Sequence, residues 1–117
     1  MQIKIEGRFP DMNEIIDAAS TSKYAYARMK EEYTTAIAWY ASKLPQYGRV
    51  DVNITWYEPN SRRDPDNITA AAKFILDGLV MGGVVKDDSQ KYVRSISHYI
   101  QVDKDNPRVE IDVEEAV

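Results

Sequence analysis

The spacing of apolar residues changes along this chain, and each change marks an element. Gln2 to Gly7 alternates, with Ile3 and Ile5 on one side, which predicts a short first strand that Gly7-Arg8-Phe9-Pro10 then breaks. Asp11 to Ser22 is mixed: Asp11 or Asn13 can cap a short helix carrying Ile15, Ile16 and Ala19, and Ser20-Thr21-Ser22 reads as a loop. From Lys23 to Leu44 the residues Tyr26, Met29, Tyr33, Ile37, Tyr40 and Leu44 recur at steps of about three and four, the stripe of a long helix. Pro45 and Gly48 end it. Val50, Val52, Ile54 and Trp56 alternate with Asp51, Asn53 and Thr55, the period-two pattern of a strand with one buried face. A second helix fits Asn67 to Met81, because Ile68, Ala72, Ile75 and Leu79 share a face and Gly82-Gly83 supplies a stop. Lys91 to Val102 predicts a long strand with Tyr92, Ile96, Ile100 and Val102 inward. Asp103 to Pro107 is a turn, and Arg108 to Glu114 returns as a closing strand with Val109, Ile111 and Val113 on one side. The order strand, helix, strand, helix, strand, strand predicts an α/β fold of the α+β type: a mixed sheet with two main helices in one domain over residues 1–117.

Composition narrows the chemistry. The 117 residues suit one hydrophobic core. No stretch approaches the roughly 20 apolar residues of a membrane span. Met1 to Gly7 lacks the apolar centre of a signal peptide, so a cytoplasmic protein without membrane contact is expected. With no cysteine and one histidine, disulfides, thiolate ligands, a Cys nucleophile and a His-rich zinc site are all excluded. Any metal must be held by oxygen. The net charge of -4 argues against a general nucleic-acid binder, an objection that weakens if a bound cation offsets acidic residues.

Charge is concentrated in Arg62-Arg63-Asp64-Pro65-Asp66-Asn67, followed by Lys73 and then by Asp87-Asp88. Pro65 drives Asp64 into an extended conformation, so Asp64 and Asp66 can project to one side as a pincer. A helix starting near Asn67 aims free N–H groups at the same place. Asp87 and Asp88 can add a further oxygen ligand from beyond the helix, and Mg²⁺ suits such a donor set because it binds through few carboxylates and keeps its waters. On an ideal helix Lys73 lies about 10 Å from Asp66 along the axis and on nearly the same side. It can reach back to a phosphate or pair with Asp77 four residues on, and spacing does not choose between these. Arg62 and Arg63 are candidates to grip phosphates. Taken singly, Asp-Pro-Asp-Asn is a common turn or cap and Asp87-Asp88-Ser89 a common solvated turn. Flanking one helix, with basic residues beside the first, they gain weight as a site. They do not have the spacing of an EF-hand.

Arg63-Asp64-Pro65-Asp66-Asn67, the Lys-bearing helix with Leu76-Asp77-Gly78-Leu79, and Val85-Lys86-Asp87-Asp88-Ser89-Gln90 resemble the RusA-type Holliday junction resolvases, endonucleases common in phages and prophages. The similarity covers nearly the whole chain, including Gly7, Pro10 and Asn13. It implies a homodimer that binds four-way DNA junctions and cuts symmetrically related strands during recombination and repair, using Mg²⁺, with Mn²⁺ as a substitute. It further implies Asp64, Asp66 and Asp88 as metal-binding and catalytic carboxylates, with Asp87 as a helper. Lys73 is taken as the catalytic cation in place of the family's lysine, and from their own chemistry Arg62, Arg63, Asn67, Lys23 and Lys30 are expected as DNA contacts. In many members the lysine stands four residues after the second aspartate, where this chain has Ala70; Lys73 comes three residues later. The acidic net charge is a second departure, which a basic face assembled in the dimer from Lys23, Arg28, Lys30, Lys43, Arg62 and Arg63 would answer.

His98 alternates in phase with Ile96 and Ile100, as a hydrogen-bonded core or interface histidine would, and no catalytic role is assigned to it. The aromatics Tyr26, Tyr33, Trp39, Tyr40, Trp56 and Tyr57 fall where packing or a dimer contact is the expected job. Two competing readings remain: a dimeric junction binder that kept the fold without turnover, and a small interaction protein whose acidic loops are solvated turns.

Overall fold

The alternation beginning at Val50 buries Val50, Val52, Ile54, Trp56 and Glu58 on one face, and this strand becomes the middle of a four-stranded sheet. The structure, a computed structural model, describes residues 2–117, so Met1 of the first alternating stretch lies outside the described residues. In chain order the elements are β1 (Gln2–Glu6), α1 (Met12–Thr21), α2 (Lys23–Ala41), β2 (Val50–Glu58), α3 (Pro65–Thr69), α4 (Ala72–Met81), β3 (Val93–Val102) and β4 (Arg108–Glu115). The sheet order is β1-β4-β2-β3; β4 runs antiparallel to both β1 and β2, while β3 runs parallel to β2. A parallel neighbour needs a crossover, and α3 with α4 supplies it. The result is one α+β domain with a mixed sheet, in which α2 and α4 are the main helices.

Cross-strand register builds the core: Val52 faces Val113, Ile54 faces Ile111 and Trp56 faces Val109, with Ile3 beyond Ile111. All are buried, and Ile37 and Ala41 of α2 and Phe74, Ile75 and Leu79 of α4 complete the core. The two helices meet at glycine. A Cβ on Gly78 would lie 2.4 Å from Ile37 Cβ, and one on Gly82 would lie 2.5 Å from Ala41 Cβ, so only hydrogen lets α4 approach α2 this closely.

Three expectations are corrected. The Ser20-Thr21-Ser22 run is not a loop. Asp11 and Glu14 form a capping box, α1 runs to Thr21, and Ser22 both ends α1 and caps α2, accepting from Ala25 N at 2.9 Å. The helix expected over Asn67 to Met81 is two helices, broken at Ala70-Ala71. Alanine is the best helix former, so propensity gives no warning; the turn instead buries Ile68 and Ala71 together with Phe74 and Ile75, and tertiary packing overrides it. Finally, Ile96, Ile100 and Val102, expected inward, are left exposed at 38%, 37% and 57%. The register does put them on the core side, opposite Val52, Trp56 and Glu58, but β3 is an edge strand that no helix covers extensively.

Candidate functional site

The segment after β2 is anchored before it reaches its first aspartate. Arg63 is only 15% exposed at its side chain: Nε meets Asp11 Oδ2 at 3.0 Å, and Nη1 donates to the Phe9 carbonyl at 3.1 Å. Its other partners are Glu14 and, at 3.8 Å, Glu58. Glu58 itself is buried and takes a 2.8 Å bond from Arg8. Asp11 starts α1 and Glu58 ends β2, so one guanidinium fixes the following residues against both elements. Arg63, read from sequence as a phosphate contact, thus has its donors engaged inside the protein. Arg62 is exposed, and among the described residues its one hydrogen bond is from its backbone N–H, donating to Asn60 Oδ1.

Asp64 follows in the extended conformation that Pro65 imposes, with φ -76° and ψ 152°. It occupies the N-cap of α3 but its side chain caps nothing, which is unusual for aspartate there. Its carbonyl does the work, accepting from Asn67 N and Ile68 N at 3.0 Å each. Among the described residues neither the Asp64 nor the Asp66 carboxylate has a hydrogen-bond or ion-pair partner. Both are exposed and line a hollow of about 290 Å³ with Met12, Asn13 and Asn67. Asn67 lines it too, its Oδ1 accepting from Asn13 N at 3.3 Å.

Lys73 does not join them. The break at Ala70-Ala71 sets it on α4, where it faces a second hollow of about 410 Å³ shared with Asp77, Asp87 and Asp88. Lys73 Nζ donates to Asp77 Oδ1 at 3.2 Å and to Asp88 Oδ2 at 3.5 Å. Asp77 first, and Asp88 after it, hold the ammonium above its ordinary pKa. Asp87 differs from its neighbour, because one of its oxygens accepts from Asp88 N at 2.8 Å, a local turn contact, while Asp88 turns its carboxylate to Lys73. Lys30 reaches the same hollow from α2, 3.6 Å from Asp77 Oδ2. Lys23 is exposed at the first position of α2.

The aspartates expected to form one cluster are therefore divided, Asp64 and Asp66 in one hollow and Asp87 and Asp88 in the other. Among the described residues no three carboxylate or imidazole groups lie close enough to hold an ion together. The donor chemistry still suits a hard cation: Asp64 and Asp66 are hard oxygen donors, adjacent and unpartnered, and Mg²⁺ needs only one or two carboxylates with waters filling its octahedron. Sequence reasoning missed two participants. Asp77 reads as a spacing partner of Lys73 and as part of Leu76-Asp77-Gly78-Leu79 without a role at the site, and the Arg63 clamp reaches Phe9, Asp11 and Glu14, 49 to 54 positions away, for which a single sequence carries no signal.

Fold and site define a small α+β protein whose acidic hollows lie beside exposed basic groups. Residues 9–114 match Endodeoxyribonuclease RusA, and the chain belongs to the RusA endodeoxyribonuclease family. Membership places it among the Holliday junction endonucleases in general. No curated protein was found to match the chain. Among the described residues no helix is long and apolar enough to cross a membrane.

Proposed function

We propose that this chain is a Mg²⁺-dependent, structure-selective endonuclease that resolves four-way DNA junctions by paired phosphodiester hydrolysis. The observation that carries the reading is the pair of unpartnered carboxylates, Asp64 and Asp66, presented on a clamped turn in a chain of this family. Asp64 and Asp66 would hold the ion, with Asp88 the further candidate and Mn²⁺ a workable substitute. When bound, the ion supplies Lewis-acid stabilisation of charge at the scissile phosphate and lowers the pKa of an attacking water. The water oxygen bonds to phosphorus as the bond to the 3′ oxygen breaks, leaving a 5′-phosphate and a 3′-hydroxyl. Lys73, kept protonated by Asp77 and Asp88, is the cation available to offset charge on the phosphate or the departing oxygen. Arg62, Asn67, Lys23 and Lys30 supply the DNA contacts, while Arg63 holds the turn that carries the aspartates.

Paired cuts need two sites, hence a homodimer. The edge strand β3 supports one: between Ser95 and Val102 it carries no acid and no lysine, the devices that usually keep an edge from pairing. Its Ile96, Ile100 and Val102 also continue the core face without cover.

The competing reading, a junction binder without turnover, draws on the divided aspartates. A labelled mobile four-way junction, with linear duplex as control, separates the two. Symmetric nicking of the junction in Mg²⁺ that stops in chelator is the expected result. Tight junction binding with no cutting in either condition would refute the enzyme and leave the binder.

A further inference from the structure

Asp77 lies one turn after Lys73 on α4, and its two oxygens have different surroundings. Oδ1 accepts from Lys73 Nζ at 3.2 Å. Among the described residues Oδ2 is buried without a hydrogen bond and has Lys30 Nζ of α2 at 3.6 Å. Thr34 of α2, which lines the same hollow, is 2% exposed, and among the described residues its hydroxyl has no hydrogen-bond partner. The Asp77 side chain is 17% exposed against 59% for Lys73, a largely buried carboxylate beside an exposed ammonium. Gly78, the next residue, packs against Ile37 and the Thr34 carbonyl, which fixes the helix at this point.

Lys73 has two anchors, Asp77 and Asp88. Asp88 is the one that the proposed function makes available to a cation, and a carboxylate turned to a divalent ion no longer restrains an ammonium that the same ion repels. Asp77 has no such second duty. Geometry points to Asp77 as a positioning residue: its fixed carboxylate tethers the Lys73 ammonium at the mouth of the hollow, facing the scissile phosphate, while Lys30 shares the other oxygen. This inference rests on Lys73 being the phosphate-facing cation, and the test separates the two ideas.

Wild type, Asp77→Asn, Lys73→Ala and the double variant are compared for single-turnover junction cleavage in Mg²⁺ and for junction affinity in chelator. A displaced catalytic group costs up to about 100-fold, so Asp77→Asn should cut about 10- to 100-fold more slowly with affinity unchanged within about twofold. On the Lys73→Ala background it should cost nothing more. Asp77→Glu, which keeps the charge, should recover part of the lost rate, a response that loss of packing alone would not give. Asp77→Asn cutting at the wild-type rate beside a slow Lys73→Ala would overturn the tether alone, as would fully additive losses or an Asp77→Glu no faster than Asp77→Asn. A Lys73→Ala protein that cuts at the wild-type rate would remove the role of Lys73 itself, and the tether with it.

Discussion

Replacing Gly78 by alanine tests how the structure holds its site together. The added methyl would lie 2.4 Å from Ile37 Cβ, 2.5 Å from Ile37 Cγ2 and 3.0 Å from the Thr34 carbonyl oxygen. Ordinary carbon contacts fall at about 3.5–4.0 Å, so α4 must move away from α2 by about 1 Å. Ile37 cannot yield, since it is fully buried in the core. Overpacking of this kind costs about 1–3 kcal/mol, and an overlap this deep belongs at or beyond the upper end. Alanine returns about 1 kcal/mol through helix propensity, leaving a net loss of about 2 kcal/mol. With an unfolding entropy of about 2.1 cal/mol/K per residue, a chain of 117 residues should lose about 8 °C in Tm. Thermal unfolding followed by circular dichroism measures this, with Gly48→Ala as control because nothing lies within 4 Å of a Cβ there. A Gly78→Ala protein melting at or above wild type would refute the close helix contact, and with it the fixed placement of Asp77 one residue earlier.

Removing Arg63 strips a nearly buried guanidinium from Asp11, Glu14 and Glu58, so Arg63→Ala should cost about 2–4 kcal/mol in denaturant unfolding. In chelator it should leave the salt dependence of junction binding unchanged, while Arg62→Ala lowers the slope of log K against log salt by about 1; the reverse pattern would make Arg63 the phosphate contact. Trp56 Nε1 donates to His98 Nδ1 at 3.0 Å, and burial pushes the His98 pKa down from its ordinary value. The unfolded chain then takes up the proton first, so stability present above about pH 6.5 should fall as pH drops through the imidazole range and level off once the folded form is protonated too. Denaturant midpoints between about pH 7.5 and 5.5 should show this fall in wild type but not in His98→Gln, and identical profiles would contradict it.

What the sequence discloses depends on how local the cause is. The strands β2 and β4 are legible because alternation alone decides which face is buried, and β2 meets the expected pattern residue by residue. The capping box at Asp11 and Glu14 is equally local, yet the Ser/Thr run after it reads as a loop because the same hydroxyls that favour turns also cap helices. The break at Ala70-Ala71 is invisible, since alanine is the residue least expected to break a helix and its cause is burial against distant elements. That one turn decides the site. On a continuous helix Lys73 would stand on the side of Asp66; the break separates the two, while the i,i+4 pair with Asp77, which either arrangement allows, is kept and Asp88 joins it. The exposed face of β3 shows the opposite failure: alternation gives its core side, but sheet order and helix coverage decide whether anything lies over it.

On the proposed reading the two acidic turns, one on either side of the α3–α4 crossover, act in one reaction. Single-turnover cleavage of a labelled four-way junction in Mg²⁺ by Asp66→Asn and Asp88→Asn, each beside wild type and each with junction affinity measured in chelator, tests it most directly. Either substitution alone should abolish paired nicking while junction binding persists. Wild-type cutting by either variant would contradict it and reduce that aspartate to a solvated turn.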